Sequence, residues 1–373
     1  MQAAGEAPDE AVCCGPPAGP PCSPYERPGY RLWHFVTEFE KTSVGEVPRV
    51  RTVLDTTDIL AGVKVRCGIG RNSYLIAPGL YCTGTPSENS PVLVTANYKL
   101  SFDILRRELT SIDAWILVLD TRGINVWCAA GKGTFSTAEV VRCVKNAGLE
   151  RLVKHRRLVL PQLAATGVAA HRVKKECGFE IVWGPVRAKD LKRFLESGLN
   201  ADAGMRQVTF SLSERFVLIP VELAVIPKYL VGVLVVGFIL SGIGPGGFSF
   251  DDAWRRGLML TAACAAGIIG GAIAVPLLLP WLPARAFALK GLFTGVLSGV
   301  TLAVAAWHNL NGWELLSLLI CTVAFSSILS MNFTGATPFT SPSGVEKEMR
   351  RAIPWQGAAV LSAATIWVAA AFA

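Results

Sequence analysis

Trp115-Ile-Leu-Val-Leu119-Asp-Thr-Arg-Gly-Ile-Asn125-Val-Trp-Cys128-Ala-Ala-Gly131-Lys-Gly133-Thr-Phe135 joins an unbroken apolar run to a loop of small residues. An apolar run without alternation is what a parallel strand covered on both faces requires. Similar runs recur at Val92-Leu-Val-Thr95, Leu158-Val-Leu160 and Phe179-Glu-Ile-Val-Trp183. Between them the pattern predicts helices over Ser101–Leu109, Thr137–Ala147, Ala169–Cys177 and Ala188–Ser197. Ser136 with Glu139 forms a capping box before the second, and Gly178 and Gly198 stop the last two. Strand–helix alternation predicts an α/β fold, a Rossmann-like parallel sheet with helices on both faces. Ligands in such folds sit beyond the carboxyl ends of the strands.

The quoted loop starts at such an end. Asn125, Trp127 and Cys128 are its distinctive members. Ala129, Ala130 and Lys132 can begin a helical turn. Its positive end and the lysine would favour the Cys128 thiolate, the form that ligates metal. Two other chemistries are poorly served. Gly131-Lys132-Gly133-Thr134 lacks the P-loop's first glycine, which four residues separate from the Gly-Lys pair, since Val126 stands there. A catalytic cysteine needs a base, and nothing places His155 or His171 near Cys128. A buried structural cysteine stays open as an alternative.

The 373 residues suggest about two domains, and they divide by charge. Residues 1–227 hold 28 of 36 Lys+Arg and 23 of 28 Asp+Glu. The net charge of +8 is dispersed among acids with no basic-aromatic run, so no nucleic-acid partner is expected. The ten cysteines contain no C-x-x-C spacing, so no iron–sulfur cluster is expected in this chain, and many free thiols suit a reducing compartment. Residues 1–28 read as a disordered leader without a signal peptide, whose Cys13, Cys14 and Cys22 could hold a soft metal or be incidental. Residues 29–227 then form the α/β domain and 228–373 a transmembrane domain.

The second domain offers five uncharged stretches, Tyr229–Phe250, Gly257–Ala284, Gly291–Trp313, Leu315–Val345 and Ala352–Ala373, each able to span lipid as a helix. Gly244-Pro-Gly246 reads as a turn. Arg215, Lys228, Arg285, Lys290, Lys347, Arg350 and Arg351 flank one side, and the other side's loops hold Arg255 and Arg256 offset by Asp251 and Asp252. This bias predicts a multi-pass protein of the inner (cytoplasmic) membrane, its first domain in the cytoplasm. Gly267, Gly270, Gly271, Gly295, Ser298 and Gly299 permit close helix packing. Mid-span ionisable groups are lacking, which argues against a pump. Cys264 and Cys321 read as small apolar residues in these helices.

The segment Asn125–Phe135 resembles the corrinoid-binding segment of two related families. One is the large subunit of the corrinoid iron–sulfur protein of the acetyl-CoA pathway. The other is the membrane-bound corrinoid protein of microbial mercury methylation. The resemblance extends to Pro91–Asp103, Leu160-Pro-Gln162-Leu, Gly167-Val and Gly184-Pro-Val, about residues 50–220 in all. Five spans after the corrinoid domain favour the second family. The loop Asn332–Met349 also looks like a segment shared by these families.

The resemblance implies a cobalamin-type corrinoid cofactor. Cys128 would be the catalytic residue and the lower axial ligand to cobalt. Thr95, Asn97, Ser101, Asn125, Val126, Trp127, Ala129, Ala130, Gly131, Lys132 and Ala188 would join it around the ring. It implies corrinoid-dependent transfer of methyl to inorganic Hg(II), giving methylmercury. Partners would be a ferredoxin-like protein with two [4Fe–4S] clusters, a methyl-donor methyltransferase or methyl-tetrahydrofolate system, and membrane lipid. The alternatives are a membrane corrinoid carrier serving another methyl acceptor, and a corrinoid-sensing membrane protein.

Overall fold

The computed structural model describes residues 33–337 and 342–373. The leader with Cys13, Cys14 and Cys22, and residues 338–341 of the Asn332–Met349 loop, lie outside the described residues. The chain forms two units, one containing residues 33–65 and 69–208, the other 66–68 and 209–373.

In the first unit the four apolar runs become the parallel centre of a sheet: β4 (Val92–Ala96), β5 (Ala114–Leu119), β6 (Arg157–Leu160) and β7 (Glu180–Trp183). The sheet is larger than expected and mixed. β1 (Val36–Thr42), β2 (Gly45–Val50) and β3 (Gly79–Thr83) extend it to seven strands in the order β1-β2-β3-β5-β4-β6-β7, with β3 antiparallel to β5. Side chains alternate between two cores. Val92, Val94, Ala96, Trp115, Leu117 and Leu119 face one, and Leu93, Ile116 and Val118 the other. Burial on both faces explains the runs without polar gaps.

Helices α1 (Thr56–Arg66), α2 (Lys99–Arg107) and α7 (Leu191–Glu196) cover the Leu93 face through Val65, Phe102 and Phe194. α3 (Val126–Gly131), α4 (Thr137–Asn146), α5 (Leu149–Leu152) and α6 (Ala170–Cys177) cover the other. Gly178 stops α6 in the left-handed region at φ 76°. The helix expected over Ala188–Ser197 opens instead with a 3-10 turn, Ala188–Asp190.

A set of buried charges, with His34 Nε2 3.2 Å from Asp58 Oδ1, fixes α2 to α1. Asp58, Lys99, Asp103 and Arg106 are all buried. Lys99 Nζ donates to Asp58 Oδ1 at 2.9 Å and Asp103 Oδ2 at 2.6 Å, and Arg106 donates to the second oxygen of each at 2.6 and 2.8 Å. The lysine also lies 4.6 Å from the Trp33 ring centre. Two cations and two carboxylates leave no net charge, which is what makes their burial tolerable.

Among its described residues the second unit holds five helical segments long and apolar enough to cross a membrane: Leu212–Ser241, Phe250–Leu278, Phe287–Ala306, Gly312–Met331 and Ser343–Ala369. They comprise α8 (Leu212–Phe216) with α9 (Ile219–Ser241), α10 (Phe250–Ile268) continuing through a π-helical stretch Ile269–Ala274 into α11 (Val275–Leu278), α12 (Phe287–Ala306), α13 (Gly312–Met331) and α14 (Pro342–Ala369). Within the first membrane-length segment, α9 starts before the expected boundary at Lys228, with Pro220 in its first turn, where a missing N–H costs nothing. Gly244-Pro-Gly246 does turn, within a hairpin of β8 (Ile243–Gly244) and β9 (Gly247–Phe248).

Arg255 and Arg256 belong to α10 and not to a loop. Arg256 is buried, donates to Glu314 Oε1 of α13 at 2.8 Å and caps the Ser241 carbonyl at 3.1 Å. Gly271, Gly291 and Gly295 meet α13 so closely that a Cβ would stand 2.3, 2.5 and 2.8 Å from atoms of Ser326. Ser326 and Ser330 donate to the carbonyls of Gly291 and Phe287 at 2.6 and 2.8 Å. Small residues bring the backbones together, and the hydroxyls then bond across the contact.

Burial alone would raise the Asp58 carboxyl, but hydrogen bonds from Arg106 and Lys99 hold it down at about 2. A folded value below the unfolded one adds stability above the unfolded value, lost as pH falls through the folded value. The first unit is therefore expected to lose about 2 kcal/mol between about pH 4 and pH 2. Tryptophan fluorescence of the full chain against pH checks this. Asp58→Asn should flatten that stretch and destabilise the unit by about 3 kcal/mol at neutral pH, because Lys99 and Arg106 then share one counter-charge.

Candidate functional site

Chain direction locates a crevice before any chemistry is invoked. From β4 the chain passes through α2 on one face of the sheet to β5, then returns through α3, α4 and α5 on the other face to β6, on β4's far side. The connections beyond the carboxyl ends of β4 and β6 thus diverge. That divergence opens the crevice in which α/β sheets hold ligands.

Asn97 is the first residue past β4. It is fully buried, and its side-chain oxygen accepts from Thr121 N at 3.1 Å, Thr121 Oγ1 at 2.9 Å and Gly123 N at 2.9 Å, while its amide donates to Asp120 at 3.3 Å. The carboxyl end of β4 therefore holds the loop leaving β5. From the other side Asp120 N donates to Glu139 Oε1 of α4 at 2.9 Å. Arg122 and Gly123 turn the loop at φ 57° and 72°; an aspartate two residues back supports the arginine, as Arg122 N donates to Asp120 Oδ1 at 3.1 Å.

Asn125 then starts α3. Its side-chain oxygen accepts from Cys128 N at 3.0 Å and its amide lies 3.5 Å from Cys128 Sγ, so one residue caps the helix and orients the thiol. The helix begins at Val126, earlier than expected, with Cys128 in its first turn and Lys132 at its end. Ala129 and Ala130 are buried, and Cys128 is half-buried beside an exposed Trp127. Gly167, after β6, backs the turn; a Cβ there would stand 3.0 Å from Ala130 and 2.3 Å from the Phe135 carbonyl. Gly131 and Gly133 are exposed, and a Cβ on either meets nothing within 4 Å. The segment thus presents one soft donor among small residues.

The other expected residues fall at the same edge of the sheet. Thr95 lies near the end of β4 on the Leu93 face and is buried, Ser101 is half-buried in the first turns of α2, and Ala188 is half-buried after β7. Asn97, Ala129 and Ala130 are buried as Thr95 is, and Asn97 spends its side-chain oxygen on the loop. His155 stands before β6, at the opposite edge, with Nε2 2.8 Å from the Ser90 carbonyl, so it cannot serve Cys128 as a base. His171 is exposed in the first turn of α6.

Glu139, Thr121 and Gly167 shape the site through contacts that local sequence does not show. The capping box at Ser136 is only half formed. Ser136 accepts from Glu139 N at 3.3 Å, but the glutamate serves Asp120 N and Arg142 instead of returning to Ser136. Thr121 and Gly167 act through buried contacts that only tertiary structure reveals. Burial also separates the thiols. It pushes Cys82 up to about 11 and Cys143, beside Glu139, higher still, which leaves both inert.

Asn97→Ala would strip partners from three loop donors, each worth about 1–3 kcal/mol when buried. Amide exchange in peptides spanning 120–131 of the full chain is expected to accelerate by about two orders of magnitude, with β6 unchanged. Unchanged protection of Thr121 and Gly123 would contradict the anchoring role.

Residues 70–195, about a third of the chain, match the family model described as CO dehydrogenase/acetyl-CoA synthase delta subunit, CdhD. The gamma subunit of the acetyl-CoA decarbonylase/synthase complex of Methanopyrus kandleri is 37% identical over 128 residues, 34% of this chain and 27% of that one. The same subunit of Archaeoglobus fulgidus is 33% identical over 128 residues, again 34% of this chain and 27% of that one. The corrinoid/iron-sulfur protein large subunit of Moorella thermoacetica is 30% identical over 118 residues, 31% of this chain and 26% of that one. The chain spans about a quarter of the length of these relatives. The family match runs from before β3 into α7, so it contains the Asn97 anchor and Cys128 and stops short of the membrane-length helices.

Proposed function

We propose that this chain is a membrane-bound corrinoid protein that takes methyl from a one-carbon donor and passes it to inorganic Hg(II), with Cys128 as the lower axial ligand to cobalt. The observation that carries the reading is Cys128 itself: a half-buried thiol, oriented by Asn125, at the carboxyl edge of a parallel sheet, within the residues 70–195 that match the CO dehydrogenase/acetyl-CoA synthase delta subunit model. The donor set fits a corrinoid. A soft sulfur suits cobalt, and the small residues around it leave room for a broad, flat ligand.

When bound, the corrinoid supplies a cobalt centre that carries methyl and yields it to an electrophile. The chain supplies the rest. Cys128 would hold the metal through its sulfur and would supply electron density to it, as sulfur ligands do in haem proteins. Asn125 holds the sulfur's direction, and Asn97 with Glu139 holds the loop. Thr95, Ser101, Trp127, Lys132 and Ala188 would flank the ring. Hg(II), a soft electrophile, is matched to such a donor. The low-potential electrons that reset the metal would come from a ferredoxin-like partner with two [4Fe–4S] clusters, and the methyl from a methyltransferase or methyl-tetrahydrofolate system.

The membrane-length helices favour mercury methylation over acetyl-CoA synthesis, because the resembling mercury family carries spans after its corrinoid domain. The distribution of basic residues would put the first unit in the cytoplasm and the helices in the inner membrane.

Anaerobic co-expression with the ferredoxin-like partner, followed by a methylmercury assay, tests the reading. Wild type should methylate Hg(II). Cys128→Ala should lose at least about two orders of magnitude in rate, because an axial ligand sets the metal's electronics. Cys128→His should keep a ligand but shift the visible bands. Full activity in the alanine variant would remove the ligand assignment. Corrinoid binding without mercury methylation would point to a carrier for another acceptor or a sensor.

A further inference from the structure

A half-open cavity of about 300 Å³ lies between α9, α10, α13 and α14 of the second unit. Its wall is apolar except at four side chains: Cys264, Cys321, Ser317 and Trp367. Two of these are already committed. Ser317 donates to the Ala363 carbonyl at 2.7 Å, and Trp367 Nε1 donates to Ser241 Oγ at 2.9 Å.

The remaining polar groups are the two thiols, which line the cavity from the neighbouring helices α10 and α13. Their neighbours fix the register. Thr322 donates to the Ala263 carbonyl at 3.2 Å, and Gly267 packs so closely that a Cβ would stand 2.6 Å from Phe325. The pair lies seven residues along α13 from Glu314 and eight along α10 from Arg256, roughly 11 Å inward from the buried ion pair at 1.5 Å per residue. Both cysteines therefore lie within the length that a hydrocarbon core covers.

We infer that Cys264 and Cys321 form a two-thiol site for a soft divalent cation inside the membrane unit. Charge selects the ion. Two thiolates and a divalent cation sum to zero, whereas a monovalent ion would be neutral only if one cysteine stayed a thiol, the weaker donor. Coordination number selects further. Zinc asks for four ligands and magnesium or calcium for oxygens, neither of which this wall offers. A thiophilic ion satisfied by two sulfurs fits, and Hg(II) is of that class.

Loading needs no water in the cavity. Hg(II) arriving as a complex of two small thiolates exchanges ligands. Two Hg–S bonds to the carrier break and two form to the protein, and the proton on each cysteine passes to a departing thiolate, with no change of oxidation state. The site deepens the mercury reading and rests on it for its cargo, while its binding chemistry stands apart from cobalt.

The test uses the purified full chain in detergent micelles, titrated with HgCl2 in a monothiol buffer up to one ion per thiol. Alkylation by N-ethylmaleimide is then followed residue by residue by mass spectrometry. In wild type, Cys264 and Cys321 should be protected together, alkylating at least about tenfold more slowly than without metal, because the metal holds the nucleophilic thiolate. In Cys264→Ala the protection of Cys321 should vanish, and the reverse in Cys321→Ala. No joint protection in wild type, or protection of either cysteine in the other's absence, would overturn the site. The Cys128→Ala chain should keep the joint protection, and the two membrane variants should keep any cobalt spectrum, so failure here and failure of the corrinoid reading are separable.

Discussion

Asn97 bears more of this architecture than any other side chain at the edge of the sheet. It takes three hydrogen bonds on one oxygen from the loop that leaves β5, inside a protein interior where each donor would otherwise be stranded. Because β4 and β5 run parallel in register from Val92 with Trp115 to Ala96 with Leu119, the residue after one strand meets the residue after the other. The sheet therefore dictates where the loop begins, and the amide dictates how it turns. Cys128 inherits its position from that turn through Asn125.

Two kinds of buried polarity stabilise the molecule. In the first unit Asp58, Lys99, Asp103 and Arg106 neutralise one another and lock α2, whose first turns follow Asn97, against α1. In the second, Arg256 and Glu314 pair between α10 and α13, while serine hydroxyls bond across glycine contacts. Fully partnered clusters of this kind specify one arrangement, since any slip exposes a charge or a donor without a partner.

Much of this was legible in the sequence. The four parallel strands announced themselves as apolar runs, the glycine stop at Gly178 was read correctly, and the membrane-length helices followed from length and hydropathy. The first three strands were not foreseen, because β1 and β2 carry mixed, partly exposed residues such as Glu38, Glu40 and Lys41 that give no strong period. Glu139 looked like half of a capping box because local spacing cannot show that Asp120 N competes for the same carboxylate. Arg256 looked like a loop charge because its partner Glu314 is 58 residues away. Cys128 stood out in the sequence by its neighbours, yet what distinguishes it from Cys82 and Cys143 is burial, a property of the folded chain.

The bond between the Cys128 sulfur and cobalt is the claim on which the functional account turns, and it can be observed directly. The full chain, loaded anaerobically with a cobamide, should show a sulfur neighbour in cobalt K-edge absorption fine structure, and Cys128→Ala should lose it while still holding the corrinoid. An all-nitrogen-and-oxygen cobalt shell in the wild-type chain would contradict the account.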